Sequence, residues 1–184
     1  MMAAARRPAA VGKVLPAAQG RRNGVEAGAR VSLQFPRVSA MIEKHASVHW
    51  EGAGKTGTGS ISTETGALKD HPYGFASRFG DDRRNTNPEE ILGAAHAACL
   101  TMAFAFACEA QGIATRSIDT TAAVRLVKQG GGFLIDRIAL TLRAEVPGLD
   151  EAAFQKIAQD VKQNCPLSKA LKSVPEITLV ATRS

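Results

Sequence analysis

The sequence predicts an α+β fold with antiparallel sheet and one long apolar helix. Three observations carry that prediction. Short alternating segments of apolar and polar residues stand early and late in the chain. A single apolar segment with clear helix punctuation lies between them. The elements then read in the order βββ-α-ββ-α-α-β, which suits an α+β domain with antiparallel sheet.

Ala46–Glu51 alternates as a strand does, and Gly52-Ala53-Gly54 makes the turn after it. Residues 56–63, with Gly57 and Gly59, form a weaker second strand. Thr65-Gly66 turns into a short third strand near Ala67 and Leu68, completing a small antiparallel meander. His71-Pro72-Tyr73-Gly74 reads as a loop. Phe75–Phe79 reads as a short turn or extended piece, and residues 81–85 as a solvated loop.

The central helix is punctuated at both ends. Asn87 suits the N-cap, Pro88 the first helical position and Glu90 the third, an arrangement of capping-box type. The helix should run to Gln111, with Gly112 as its stop, giving a rod of roughly 36 Å. It is apolar on nearly every face and so must be wrapped on all sides. One small sheet cannot do this, so a second subunit is expected. No apolar run reaches the roughly 18–20 residues of a bilayer span without polar interruption. The nearest, residues 91–107, contains His96 and Thr101 and reads as a buried helix.

Residues 117–128 and 133–146 are two long alternating segments joined at Gln129-Gly130-Gly131-Gly132, a hairpin ended by Pro147-Gly148. Asp150 caps a helix whose Ala153, Phe154, Ile157, Ala158 and Val161 follow helical spacing. Cys165-Pro166 begins a shorter helix through Leu171, and residues 177–181 form the last strand.

Composition bounds the function. The chain has 184 residues, 45% of them apolar, which fits one domain. Its net charge of +6 resides entirely in residues 1–40, with seven basic groups and one acid. Residues 41–184 are electrically balanced, so the charge says little about the partners of the domain. Residues 1–40 are expected to be a disordered basic extension, either a targeting segment or a product of a start upstream of Met41. A basic arm touching nucleic acid is a weaker reading, and no nucleic-acid or membrane partner is expected for the domain at 41–184. Three cysteines are too few for a disulfide scaffold and fit a reducing compartment, the cytoplasm.

The chemistry rests on those thiols. Cys99 lies in the long helix, roughly 18 Å from its N-cap, too far for the helix dipole to ionise it. Burial alone would raise its pKa, so a reactive Cys99 needs a cation. Arg78, Arg83 and Arg84 precede the helix; the last two read as solvated, whereas Arg78 stands next to Phe79 and can point inward. Glu89, on the first helical turn, can hold such an arginine. Cys108 lies nine residues on, about 180° around the helix, and reads as core. Cys165 precedes Pro166 at a helix N-cap, where amides and dipole lower a thiol pKa and make it a good leaving group. Each of Cys99 and Cys165 also has a plain structural reading, as a core residue and an ordinary cap. His96 and Cys99 share a helix face, but no further ligands of metal-site spacing accompany them. No phosphate-binding glycine motif or serine nucleophile elbow is present.

Taken together, His49-Trp50-Glu51-Gly52, Pro72-Tyr73-Gly74-Phe75, Thr86-Asn87-Pro88-Glu89-Glu90, Ala94-Ala95-His96-Ala97-Ala98-Cys99 and Asn164-Cys165-Pro166 resemble the OsmC branch of the OsmC/Ohr family. Ser62-Thr63-Glu64 and the run 117–122 match as well, so the resemblance spans roughly residues 44–183 in order. It implies the OsmC-like fold, an intertwined homodimer with antiparallel sheets around central helices, and a thiol peroxidase acting on organic hydroperoxides. It further implies Cys99 as the peroxidatic thiol, Cys165 as the resolving thiol and a Cys99–Cys165 disulfide. Glu89 and Arg78 are the implied active-site pair, and a dithiol, such as one of lipoyl type, is the implied reductant. No cofactor or metal is implied. The competing expectation is a non-enzymatic stress protein that binds a hydrophobic ligand at a dimer interface.

Overall fold

The computed structural model describes residues 41–184; the basic extension expected at 1–40 lies outside them. Ten elements follow in order: β1 (Ala46–Glu51), β2 (Thr58–Thr63), β3 (His71–Gly74), α1 (Phe75–Phe79), α2 (Pro88–Glu109), β4 (Ser117–Gln129), β5 (Gly132–Glu145), α3 (Glu151–Asn164), α4 (Pro166–Ala170) and β6 (Glu176–Arg183). They form two three-stranded sheets, β1-β2-β3 and β4-β5-β6.

The first sheet is the antiparallel meander expected, with its third strand displaced. Ala67 and Leu68 belong to the loop, because the Thr63 amide bonds the Leu68 carbonyl and the Leu68 amide bonds Thr63 Oγ1, both at 3.0 Å. The chain then reverses at Asp70, in the left-handed region at φ 48°. The strand is His71–Gly74, the segment read as a loop. Its Pro72 is tolerated because β3 is an edge strand, where the missing N–H need not enter the ladder. β2 starts at Thr58 because the Gly57 amide closes a turn onto the Ala53 carbonyl at 2.6 Å. Gly59 is required on β2, since a Cβ there would collide with the rings of Trp50 and Tyr73. These rings lie 5.4 Å apart across the sheet.

Phe75–Phe79 is a short helix. Ser77 Oγ accepts from the Gly74 amide at 3.0 Å and donates to the Gly74 carbonyl at 3.1 Å, so one side chain closes the turn. α2 begins where its punctuation placed it. Asn87 Oδ1 accepts from the Glu90 amide at 2.9 Å. The reciprocal half of the capping box is missing, because the Glu90 carboxylate receives the Thr86 hydroxyl instead.

β4 and β5 form the long hairpin. Arg125 pairs with Arg137 while the next residue, Leu126, pairs with Ile135, so Asp136 is an extra residue in β5. This bulge explains why the apolar phase slips between Ile135 and Ile138. Two 2.8 Å hydrogen bonds from Arg125 hold the Asp136 carboxylate. β6 then joins β5 in parallel, making the second sheet mixed rather than wholly antiparallel. Strand direction follows from the return path through α3 and α4, which alternation along β6 does not encode.

α2 packs on β4 and α3 packs on β6, both over the inner face of the second sheet. Leu100, Phe104, Ile138, Leu140, Leu142, Phe154 and Val161 fill the space between, all essentially inaccessible. Each such side chain contributes roughly 1.5–3 kcal/mol by leaving water. Phe104 and Phe154 meet edge to face at 5.4 Å. By length and composition α2 is also apolar enough to cross a membrane. Here its buried residues form the core of the domain.

Two apolar features remain uncovered by the described residues. Ala94, Ala95, Ala98 and Met102 form an exposed stripe along α2, with Met102 60% accessible. Among the described elements, the first sheet packs appreciably only against α1, leaving Val48 exposed.

Candidate active site

The two cysteines that the sequence singled out meet. Cys99 projects from the middle of α2. Cys165 occupies the junction of α3 and α4, ending one helix with its amide bonded to the Val161 carbonyl at 2.8 Å. It opens the next by accepting from the Lys169 amide at 3.0 Å. Pro166 follows it as the first residue of α4, as the Cys-Pro pair implied. Cys165 Sγ donates to Cys99 Sγ across 2.9 Å, and both are free thiols. Cys165 is fully buried and Cys99 is half-buried.

This environment suppresses the Cys99 thiolate. Burial first, and then the neighbouring thiol, push Cys99 up to about 11, while the nearby Leu167 backbone amide pulls the other way. Cys108 is buried in the core, and burial pushes its thiol up to about 11 as well.

Arg78 and Glu89 also meet. Arg78 Nη2 donates to Glu89 Oε1 at 2.7 Å and Nε to Oε2 at 3.1 Å, a fork on a carboxylate that is 12% exposed. A cleft of about 360 Å³ opens beside them, lined by Asn87, Glu90 and the β4 residues Ala122 to Val124 and Leu126. The Arg78 guanidinium lies 5.2 Å from the Phe79 ring. Phe79 in turn packs between Phe75 and Phe133, at 5.0 and 4.9 Å. Arg84 is solvated, its side chain 93% exposed, and Arg83 is exposed too.

The two pairs stand apart within one chain. Neither Arg78 nor Glu89 bonds to either sulfur. Glu89 precedes Cys99 by ten residues, roughly 15 Å along the helix.

Sequence reasoning gave His96 no partner. It is fully buried, and its Nε2 shares a 2.9 Å hydrogen bond with Ser168 Oγ on α4. Its Nδ1 has no partner among the described residues, an omission that costs about 1–3 kcal/mol. Burial holds its pKa below the usual imidazole range, so the ring is neutral at neutral pH. A contact spanning 72 residues leaves no local trace. The aromatic cluster was missed for the same reason, since Phe133 lies on the distant hairpin.

A family model described as "OsmC-like protein" matches residues 80–180. Peroxiredoxin OsmC of Escherichia coli is 49% identical over 138 residues, 75% of this chain and 94% of that protein. An organic hydroperoxide resistance protein of Xanthomonas axonopodis is 30% identical over 97 residues, 51% of this chain and 65% of its own length. The crystal structure of the organic hydroperoxide resistance protein OhrB of Bacillus subtilis superposes with a TM-score of 0.54 at 26% identity. That superposition covers 76% of this chain and 98% of the other.

Proposed function

The chain belongs to the OsmC family, and from that premise we propose that Cys99 and Cys165 are the peroxidatic and resolving thiols of its catalytic cycle. The protein is a thiol peroxidase that reduces organic hydroperoxides, and a reductant completes each turnover. The observation that carries the thiol assignment is the 2.9 Å approach of two sulfurs 66 residues apart in sequence.

The cycle follows from the thiols. Cys99 thiolate attacks the distal oxygen of ROOH; the O–O bond breaks, ROH leaves after taking a proton, and Cys99 becomes a sulfenic acid. The Cys165 sulfur then attacks the Cys99 sulfur. An S–S bond forms, the S–O bond breaks, and hydroxide leaves as water with the Cys165 proton. An external dithiol, of lipoyl type in this proposal, reduces the disulfide and is itself oxidised.

The first step needs a thiolate. A thiol pushed up to about 11 is overwhelmingly protonated at neutral pH. An opposite charge within ~4–6 Å shifts an ionisable group by roughly 1–3 units. Arg78, held by Glu89, is the cation that the chemistry requires, and within its own chain it stands away from the sulfur. A homodimer resolves the conflict by bringing the Arg78–Glu89 pair of one subunit to Cys99 of the other. The exposed α2 stripe beside Cys99 supports this assembly. Residues 41–184 carry the activity in this reading, with 1–40 as an extension, and a reducing compartment such as the cytoplasm suits three free thiols.

Brief exposure of reduced protein to one equivalent of organic hydroperoxide should remove two of the three thiols, those of Cys99 and Cys165. Thiol titration with peptide mapping checks this; loss of Cys108, or retention of Cys99, refutes the assignment.

Met102→Glu should convert the dimer to a monomer, because it puts a charge in the middle of the apolar stripe. Peroxidase activity should fall with it, by roughly tenfold or more, as Cys99 loses the partner's cation. Light scattering and peroxide consumption read the two effects. A fully active monomer would remove Arg78 of the partner from the mechanism.

A further inference from the structure

We propose that His96 and Ser168 act as positioning residues that hold Cys165 in register with Cys99 while the disulfide forms. This inference rests on the peroxidase reading. His96 and Cys99 are three residues apart on α2, as Cys165 and Ser168 are across the start of α4. Residue 96 pairs with 168 and 99 with 165, so two antiparallel rungs join the helices.

Packing alone fixes α4 weakly. It has five residues, and none of them is fully buried. Besides Leu167 and Leu171 lying on the core, its side-chain hydrogen bonds to α2 are the two rungs. Oxidation of Cys99 disturbs one of these rungs directly. A sulfenic oxygen changes the surroundings of the Cys99 sulfur, to which the Cys165 thiol is bonded. The His96–Ser168 rung contains no atom of the reacting groups and survives that step. It therefore keeps the Cys165 sulfur within reach during the interval when a second peroxide can convert sulfenic to sulfinic acid.

The unpartnered Nδ1 argues in the same direction. An apolar side chain at position 96 would fill the core without an orphaned nitrogen. What histidine gains there is the bond to Ser168.

The test is rapid quenching of the reduced protein with tert-butyl hydroperoxide, with mass spectrometry of Cys99. Wild type, Ser168→Ala, Ser168→Thr and His96→Leu are compared. Ser168→Ala should consume the first equivalent at the wild-type rate but form the disulfide roughly tenfold more slowly, as loosened positioning predicts. The sulfinic acid formed per turnover should rise by a similar factor. Ser168→Thr keeps the hydroxyl and should restore resolution. His96→Leu should melt no lower than wild type and still resolve slowly, which a purely structural histidine would not do. Wild-type disulfide formation in both Ser168→Ala and His96→Leu, or equal slowness of the Ala and Thr variants, would overturn the proposal. If wild type forms no Cys99–Cys165 disulfide, the thiol assignment falls instead.

Discussion

Cys99→Ser is expected to abolish turnover of organic hydroperoxide, by more than about a thousandfold. Serine keeps the small side chain on α2, but its hydroxyl stays protonated where even the Cys99 thiol is pushed up to about 11. No other thiol can replace it. Cys165 is fully buried behind Cys99, and Cys108 is buried in the core. The fold should survive, since the position is half-buried and the change costs ~1 kcal/mol. Peroxide consumption with a dithiol reductant, alongside sizing of the protein, measures both halves. Near wild-type turnover by a folded Cys99→Ser protein would end the proposed mechanism.

The second large effect separates the two thiols. Cys165→Ser should consume about one equivalent of peroxide, because Cys99 alone makes the attack. Turnover should then collapse, and Cys99 should appear as sulfinic acid, since no neighbouring thiol traps the sulfenic acid. The 2.9 Å separation makes this sharp: the wild-type trap is already in contact before oxidation. Cys108→Ser should change neither readout. An unmodified Cys99 in the Cys165 variant, or a Cys99–Cys108 disulfide, would show the roles wrongly assigned.

The parts of this site legible in the sequence are those with local grammar. Asn87-Pro88 announced the start of α2, and the Asn87 side chain performs the cap. Cys165-Pro166 announced a helix junction, and the structure puts the cysteine there. The Asp136 bulge left its mark as a slip in apolar phase, visible but not decoded. Other features had no local signal. β3 carries a proline that argues for a loop until its edge position is known. The parallel seating of β6 depends on a return through two helices. The His96–Ser168 bond joins segments whose proximity only the completed fold creates.

The first sheet carries a consequence for how the protein is made and measured. Three short strands with one buried side chain, Ile61, cannot form a stable unit alone in water. They obtain little cover from the other described elements. In the proposed homodimer their folding is completed by a second molecule, so the last stage of maturation becomes second-order in protein. Melting temperature then climbs with protein concentration, and dilution alone weakens the fold. Nanomolar enzyme assays and micromolar calorimetry would then sample different fractions of the assembled species.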